Sequence, residues 1–123
     1  MTHILIAEDD PAIAQLLEGE FSERLGATTQ VIPNGALVTD AISERRPDLL
    51  VLDVALPGLS GLDVFDLVRS APAYRGIPIV FLTANPDQAR SAAGQPRVIA
   101  KPFDCDVLIS VIGEMLGRAS AAA

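Results

Sequence analysis

Hydrophobic and polar positions along the chain alternate between two kinds of segment. Short β-branched or Leu-rich runs fall at HILIA (3–7), TTQVI (28–32), DLLVLDV (48–54), IPIVFL (77–82) and RVIA (97–100). Between them lie stretches whose apolar residues recur at helical spacing. Ile13, Leu17, Phe21 and Leu25 come every four residues, behind an Asp10-Pro11 pair that supplies an N-cap and a proline at the first helical position. Asn34 is placed to cap a second helix with Leu37, Val38, Ala41 and Ile42 facing inward, and Pro47 stops it. Ser60 can cap a third carrying Leu62, Phe65 and Val68. In the last, Leu108, Val111, Ile112, Met115 and Leu116 follow i, i+3, i+4, i+7, i+8, with Asp104 as N-cap and Phe103–Leu108 as a hydrophobic staple.

Strand–helix alternation of this kind predicts an α/β fold, a doubly wound five-stranded parallel sheet with helices on both faces. The third and fourth runs are nearly continuous in apolar residues, as strands buried on both faces require. Right-handed crossovers then bring every strand's carboxyl end to one edge, where open sheets of this class bind ligands.

Composition narrows the function. A chain of 123 residues that is half hydrophobic can bury one core, expected here over residues 1–118, with 119–123 a frayed tail or the start of a linker. A net charge of −7 argues against a nucleic-acid-binding surface and suits cations or basic partners. Cys105 is the only cysteine, which leaves no disulfide framework and no cysteine zinc site. No signal peptide and no membrane-length apolar run is visible, so a cytoplasmic setting is expected. His3 reads as an ordinary edge residue, and Arg45-Arg46 as a solvated helix end that favours the helix dipole.

The polar residues after the apolar runs carry the chemistry. Glu8, Asp9 and Asp10 follow the first, Asp53 closes the third, Thr83 follows the fourth and Lys101, the chain's only lysine, follows the fifth. Asp10 is explained by capping. Asp53 follows the most apolar run, where an ionised group is costly without a partner. Carboxylates about 4 Å apart repel by roughly 4 kcal/mol at an effective dielectric of 20, so Glu8, Asp9 and Asp53 call for a cation. Oxygen donors without His or Cys suit Mg²⁺, which commonly shares its site with a phosphate. A lysine and a threonine converging on the same place add phosphate-binding groups. The set points to Mg²⁺-assisted phosphoryl transfer with a carboxylate nucleophile.

On the pieces ILIAEDDP, LLVLDVALPGLSGLD, PIVFLTA and VIAKPFD, in that order, the chain resembles the receiver domain of bacterial two-component response regulators over essentially its whole length. The resemblance implies a flavodoxin-like sheet in the order 2-1-3-4-5. It implies Asp53 as phosphoacceptor and Asp9 as direct Mg²⁺ ligand, with Glu8 acting mostly through a metal-bound water and the backbone carbonyl of Ala55 as a further ligand. Thr83 would hydrogen-bond the phosphoryl group, Lys101 would pair with it, and Pro102 would follow through a cis peptide bond. The implied donor is a sensor histidine kinase, a phosphotransfer protein or a small acyl phosphate. The implied output is altered binding to a downstream protein, with no direct nucleic-acid or membrane partner. Such a domain is a self-modifying switch rather than a turnover enzyme.

Two departures from that family stand out. Val98 occupies the switch position usually held by Tyr or Phe, and a stiff valine cannot swing as an aromatic ring does. The stretch between Thr83 and Lys101 is about one turn shorter than usual, counting ~3.6 residues per turn. Asp87 to Ala93 carry little apolar face beyond Ala89, Ala92 and Ala93, and Gly94 and Pro96 follow, so the fourth helix is expected to be short, mobile or absent and its surface remodelled. An alternative reading is a degenerate receiver acting as a phosphorylation-independent interaction module. A dehalogenase-like phosphohydrolase would need a second Asp where Ala55 stands. No output segment is recognisable after the last helix, which fits a stand-alone protein or a piece of a longer one.

Overall fold

The computed structural model describes residues 1–90 and 96–122, with side chains through Gly117. Five parallel strands, β1 (His3–Ala7), β2 (Thr28–Ile32), β3 (Leu49–Leu52), β4 (Ile79–Thr83) and β5 (Arg97–Ala100), lie in the order β2-β1-β3-β4-β5. This is the flavodoxin-like doubly wound sheet that the alternating pattern and the resemblance led us to expect.

Alternation along the strands explains why the central runs read as continuous apolar sequence. Leu5, Ala7, Leu50, Leu52, Ile79 and Phe81 enter one core, while Ile4, Ile6, Leu49, Val51, Val80 and Leu82 enter the other. The first core is closed by α2 (Val38–Glu44), which follows a 3₁₀ turn (Gly35–Leu37), by α3 (Gly61–Ser70) and by Ala89 of α4 (Pro86–Arg90). The second is closed by α1 (Pro11–Leu25) and α5 (Cys105–Ala122).

The caps stand where the sequence places them. Asp10 Oδ1 accepts from the backbone N–H of Ala12 at 2.9 Å, Ser60 Oγ from Asp63 at 3.1 Å, and Asp104 Oδ1 from Asp106 at 2.7 Å. Phe103 and Leu108 pack in the same core as the staple requires. Helix α1 ends at Gly26, whose left-handed φ of 61° favours glycine.

Several boundaries differ from expectation. Asn34 caps the 3₁₀ turn rather than α2 itself, and Leu37 points outward at 52% exposure. Gly35 anchors that turn, donating its N–H to the Pro57 carbonyl at 2.9 Å, and α2 starts only after it. Strand β4 begins at Ile79 because Ile77 donates to the Tyr74 carbonyl in a turn and Pro78 has no N–H to give. Thr83 is the last residue of β4 rather than the first after it. Strand β3 is shorter than residues 48–54: Asp48 turns its carboxylate to the His3 N–H at 2.8 Å, and Asp53 stands one residue past the strand.

His3 is buried rather than an ordinary edge residue, because β2 and β3 flank β1 on both sides. Its Nδ1 lies 2.9 Å from Thr28 Oγ1, and its buried Nε2 has no hydrogen-bond partner among the described residues. Arg45, at the end of α2, reaches Thr28 Oγ1 at 3.1 Å, and Arg46 donates to the Ala73 carbonyl.

Helix α4 is short, five residues from Pro86 to Arg90. The expectations for Ala92, Ala93 and Gly94 lie outside the described residues. The backbone of α5 continues through Ala122, past the expected boundary at 118. Among the described residues no helix is long and apolar enough to cross a membrane.

Candidate functional site

The carboxyl edge of the sheet collects the polar residues that follow the strands. Glu8 leaves β1 with its N–H bonded to the Ile32 carbonyl at 3.2 Å, and Asp53 leaves β3 with its N–H bonded to the Ala7 carbonyl at 3.0 Å. These rungs extend the ladder past the strand ends and fix both carboxyls beside one another. The Lys101 N–H donates to the Thr83 carbonyl at 2.8 Å, which ties the end of β5 to that of β4. The Lys101–Pro102 peptide bond is cis.

Carboxylate oxygens of Glu8, Asp9 and Asp53 lie within 4.8 Å of one another. Glu8 and Asp53 are buried, whereas Asp9 faces solvent. Each buried carboxylate divides its oxygens between backbone and ammonium. Glu8 Oε2 accepts from the Asp9 N–H at 3.0 Å and Oε1 from Lys101 Nζ at 2.6 Å. Asp53 Oδ1 accepts from the Ala55 N–H at 3.1 Å and Oδ2 from Lys101 Nζ at 3.1 Å.

Burial first, and then the hydrogen bond to Asp53, pushes the Glu8 carboxyl up to about 7 despite the opposing pull of Lys101. Burial works against the Lys101 ammonium, but its hydrogen bonds to Glu8 and Asp53 outweigh that, and its pKa is raised on balance. The edge therefore holds more negative charge than one ammonium balances well. Three clustered carboxylates with no nitrogen or sulfur donor fit a hard divalent cation such as Mg²⁺.

Thr83 is buried at the end of β4, its Oγ1 accepting from the Asn85 N–H at 3.0 Å. That leaves the hydroxyl hydrogen free to point elsewhere. Asn85 takes part through its backbone N–H, in a Thr-centred turn that any residue but proline at 85 allows, so the threonine itself is its only mark in the sequence. Ala55 is exposed two residues beyond Asp53. Val98 pairs with Phe81 in the sheet register and is half-buried against the core on the α3 side. All the residues expected at the edge, Glu8, Asp9, Asp53, Ala55, Thr83 and Lys101, thus lie at adjoining strand ends, with Val98 set back along β5.

Known proteins share this sequence pattern and fold. The chain is 37% identical over 123 residues to the DNA-binding response regulator MtrA of Mycolicibacterium smegmatis, an alignment that covers 94% of this chain and 50% of that protein. The chain spans about half the length of the curated relatives it matches. Among solved structures, the signal receiver domain of a signal transduction histidine kinase from Syntrophus aciditrophicus superposes with a TM-score of 0.87 at 33% identity, covering 95% of this chain and 91% of that one. The response regulator TrrA of Thermotoga maritima, solved in complex with Mg²⁺–BeF, superposes with a TM-score of 0.83 at 27% identity, covering 94% and 99%. The sequence model of the response regulator receiver domain matches residues 4–113, and the chain belongs to that family.

Proposed function

We propose that the chain, with its receiver unit over residues 1–118, is a phosphorylation switch whose acceptor is Asp53. The observation that carries this reading is the convergence of Lys101 on Asp53 Oδ2 at 3.1 Å, beside a carboxylate cluster that fits a divalent cation. An Asp53 oxygen attacks phosphorus as the bond to the donor's leaving group breaks. The donor is a phosphohistidine on a sensor kinase or phosphotransfer protein, or a small acyl phosphate. Bound Mg²⁺, held by Asp9, Asp53 and the Ala55 carbonyl with Glu8 acting through water, would offset charge on the equatorial oxygens. Lys101 pairs with the transferring group from its place beside Asp53. The Thr83 hydroxyl hydrogen turns to a phosphoryl oxygen, and water later hydrolyses the acyl phosphate.

The output is a change in binding to another protein, in a cytoplasmic setting. The length shared with DNA-binding regulators such as MtrA stops at about half of those proteins. The net charge of −7 argues against nucleic acid as a direct partner of this chain.

Intact mass after incubation with an acyl phosphate tests the reading. One added phosphoryl group, dependent on Mg²⁺ and absent from Asp53→Asn, is the expected result. No adduct, together with an NMR spectrum unchanged by beryllofluoride and Mg²⁺, would instead identify a phosphorylation-independent interaction module.

A further inference from the structure

Gly61 opens α3 pressed against the chain that carries Asp53. A Cβ built on Gly61 would meet the Asp53 carbonyl oxygen at 2.1 Å and Val54 Cα at 2.8 Å. No side chain fits there unless the Asp53–Val54 peptide moves. The Gly61 N–H also donates to the Val54 carbonyl at 2.8 Å. Gly61 thus touches both peptide units between Asp53 and Ala55, one through lack of bulk and the other through a hydrogen bond. Its φ is not positive, unlike those of Gly26 and Gly58, so the need is for room rather than for a left-handed backbone.

We infer that Gly61 is a positioning residue for Asp53, setting through its missing side chain where the acceptor carboxylate and the Ala55 carbonyl stand. The consequence for phosphoryl transfer rests on the function proposed above; the placement itself does not. Asp53 is held by an Oδ1 contact to the Ala55 N–H and an Oδ2 contact to Lys101, both at 3.1 Å. A side chain at residue 61 pushes on the Asp53–Val54 peptide, next to the Cα that carries the carboxylate making both contacts. Misplacement by about 1 Å costs on the order of 100-fold in a positioned reaction.

Gly35 supplies a matched control. A Cβ there would meet the Leu59 carbonyl oxygen at 1.9 Å, a comparable clash with the same loop whose nearest atoms all belong to Leu59 and not to Asp53 or Val54. In metal-free Gly61→Ala, the amide resonances of Asp53, Val54 and Ala55 should move, whereas Gly35→Ala should leave them in place while losing stability. Mg²⁺ affinity, read by NMR titration, should weaken about tenfold in Gly61→Ala only. Phosphorylation by an acyl phosphate should slow about 100-fold. A folded Gly61→Ala with wild-type Asp53–Ala55 resonances and wild-type Mg²⁺ affinity would overturn the inference. If the wild type neither binds Mg²⁺ nor accepts a phosphoryl group, the proposed function fails, and the metal-free resonances still decide the placement. If Gly61→Ala does not fold, hydrogen exchange in the wild type decides. The Gly61 amide should exchange in step with the Asp53 amide as one unit, and independent, faster exchange at Gly61 would overturn it.

Discussion

Lys101 Nζ lies closer to Glu8 Oε1, at 2.6 Å, than to Asp53 Oδ2, at 3.1 Å. The lysine therefore serves first as counter-ion to the most buried acid of the edge, which is 2% exposed. Glu8 titrates at about 7 in the folded chain against an ordinary 4.5, so folding favours its neutral form. Stability linked to Glu8 is complete below the ordinary value and is lost as pH rises through about 7. Replacing Lys101 by Met should deepen that loss. At pH 8 the variant should be less stable than the wild type by about 1–3 kcal/mol in urea unfolding, the cost of leaving a buried polar group unsatisfied. The gap should narrow at pH 6, where Glu8 carries its own proton.

Asp10 sits beside the acidic cluster but spends its carboxylate on the amides of Ala12 and Ile13. Asp10→Ala should cost about 1 kcal/mol, the usual worth of an N-cap. Mg²⁺ affinity by calorimetry should stay unchanged. A marked weakening would make Asp10 a metal residue and not a cap.

The opposite end of the sheet should respond to acid. Burial, then the charge of Arg45, holds the His3 imidazole below its ordinary value, against opposing pulls from Asp48 and Thr28. His3 therefore stabilises the fold in its neutral form. That stability is full above 6.5 and is lost as pH falls through the lowered folded value. Glu8 gains stability over the same fall in pH, so His3 is read from a difference: the urea midpoint of the wild type minus that of His3→Leu should decrease between about pH 7.5 and 5.5. A difference that stays constant with pH would contradict this.

Thr83 and Val98 should contribute unequally to the proposed response to phosphorylation. Thr83→Val keeps the side-chain shape but removes the acceptor of the Asn85 N–H, at a cost of about 1 kcal/mol. It should also shrink the spectral change caused by beryllofluoride. In the wild type that change should centre on residues 83–85, with the Val98 methyl signals nearly still, because a half-buried β-branched side chain has one well-defined rotamer. A rotamer jump at Val98 would show that valine can relay the signal after all.

The sheet and the residues that gather at its polar edge were legible because their signals are local. Apolar runs, Asp-Pro and Ser caps and the residue after each strand can all be read from a few neighbouring positions. What was misread depends on distant partners. Leu37 turns outward because Gly35 is held by Pro57 across the loop, a contact with no periodic signature. His3 is buried because strands on both sides enclose β1, and a run buried on both faces shows no alternation to mark its first residue as inside. The bond from Lys101 to Glu8 spans 93 positions, and sequence pattern alone gave no reason to prefer Glu8 over Asp53 as its nearer partner.

Because Lys101 is the only lysine of the chain, side-chain amine chemistry has a single target, and that target lies in the acidic edge. Reductive methylation with carbon-13 formaldehyde would place its side-chain label there alone. The chain thus carries a built-in spectroscopic reporter of its own acidic edge.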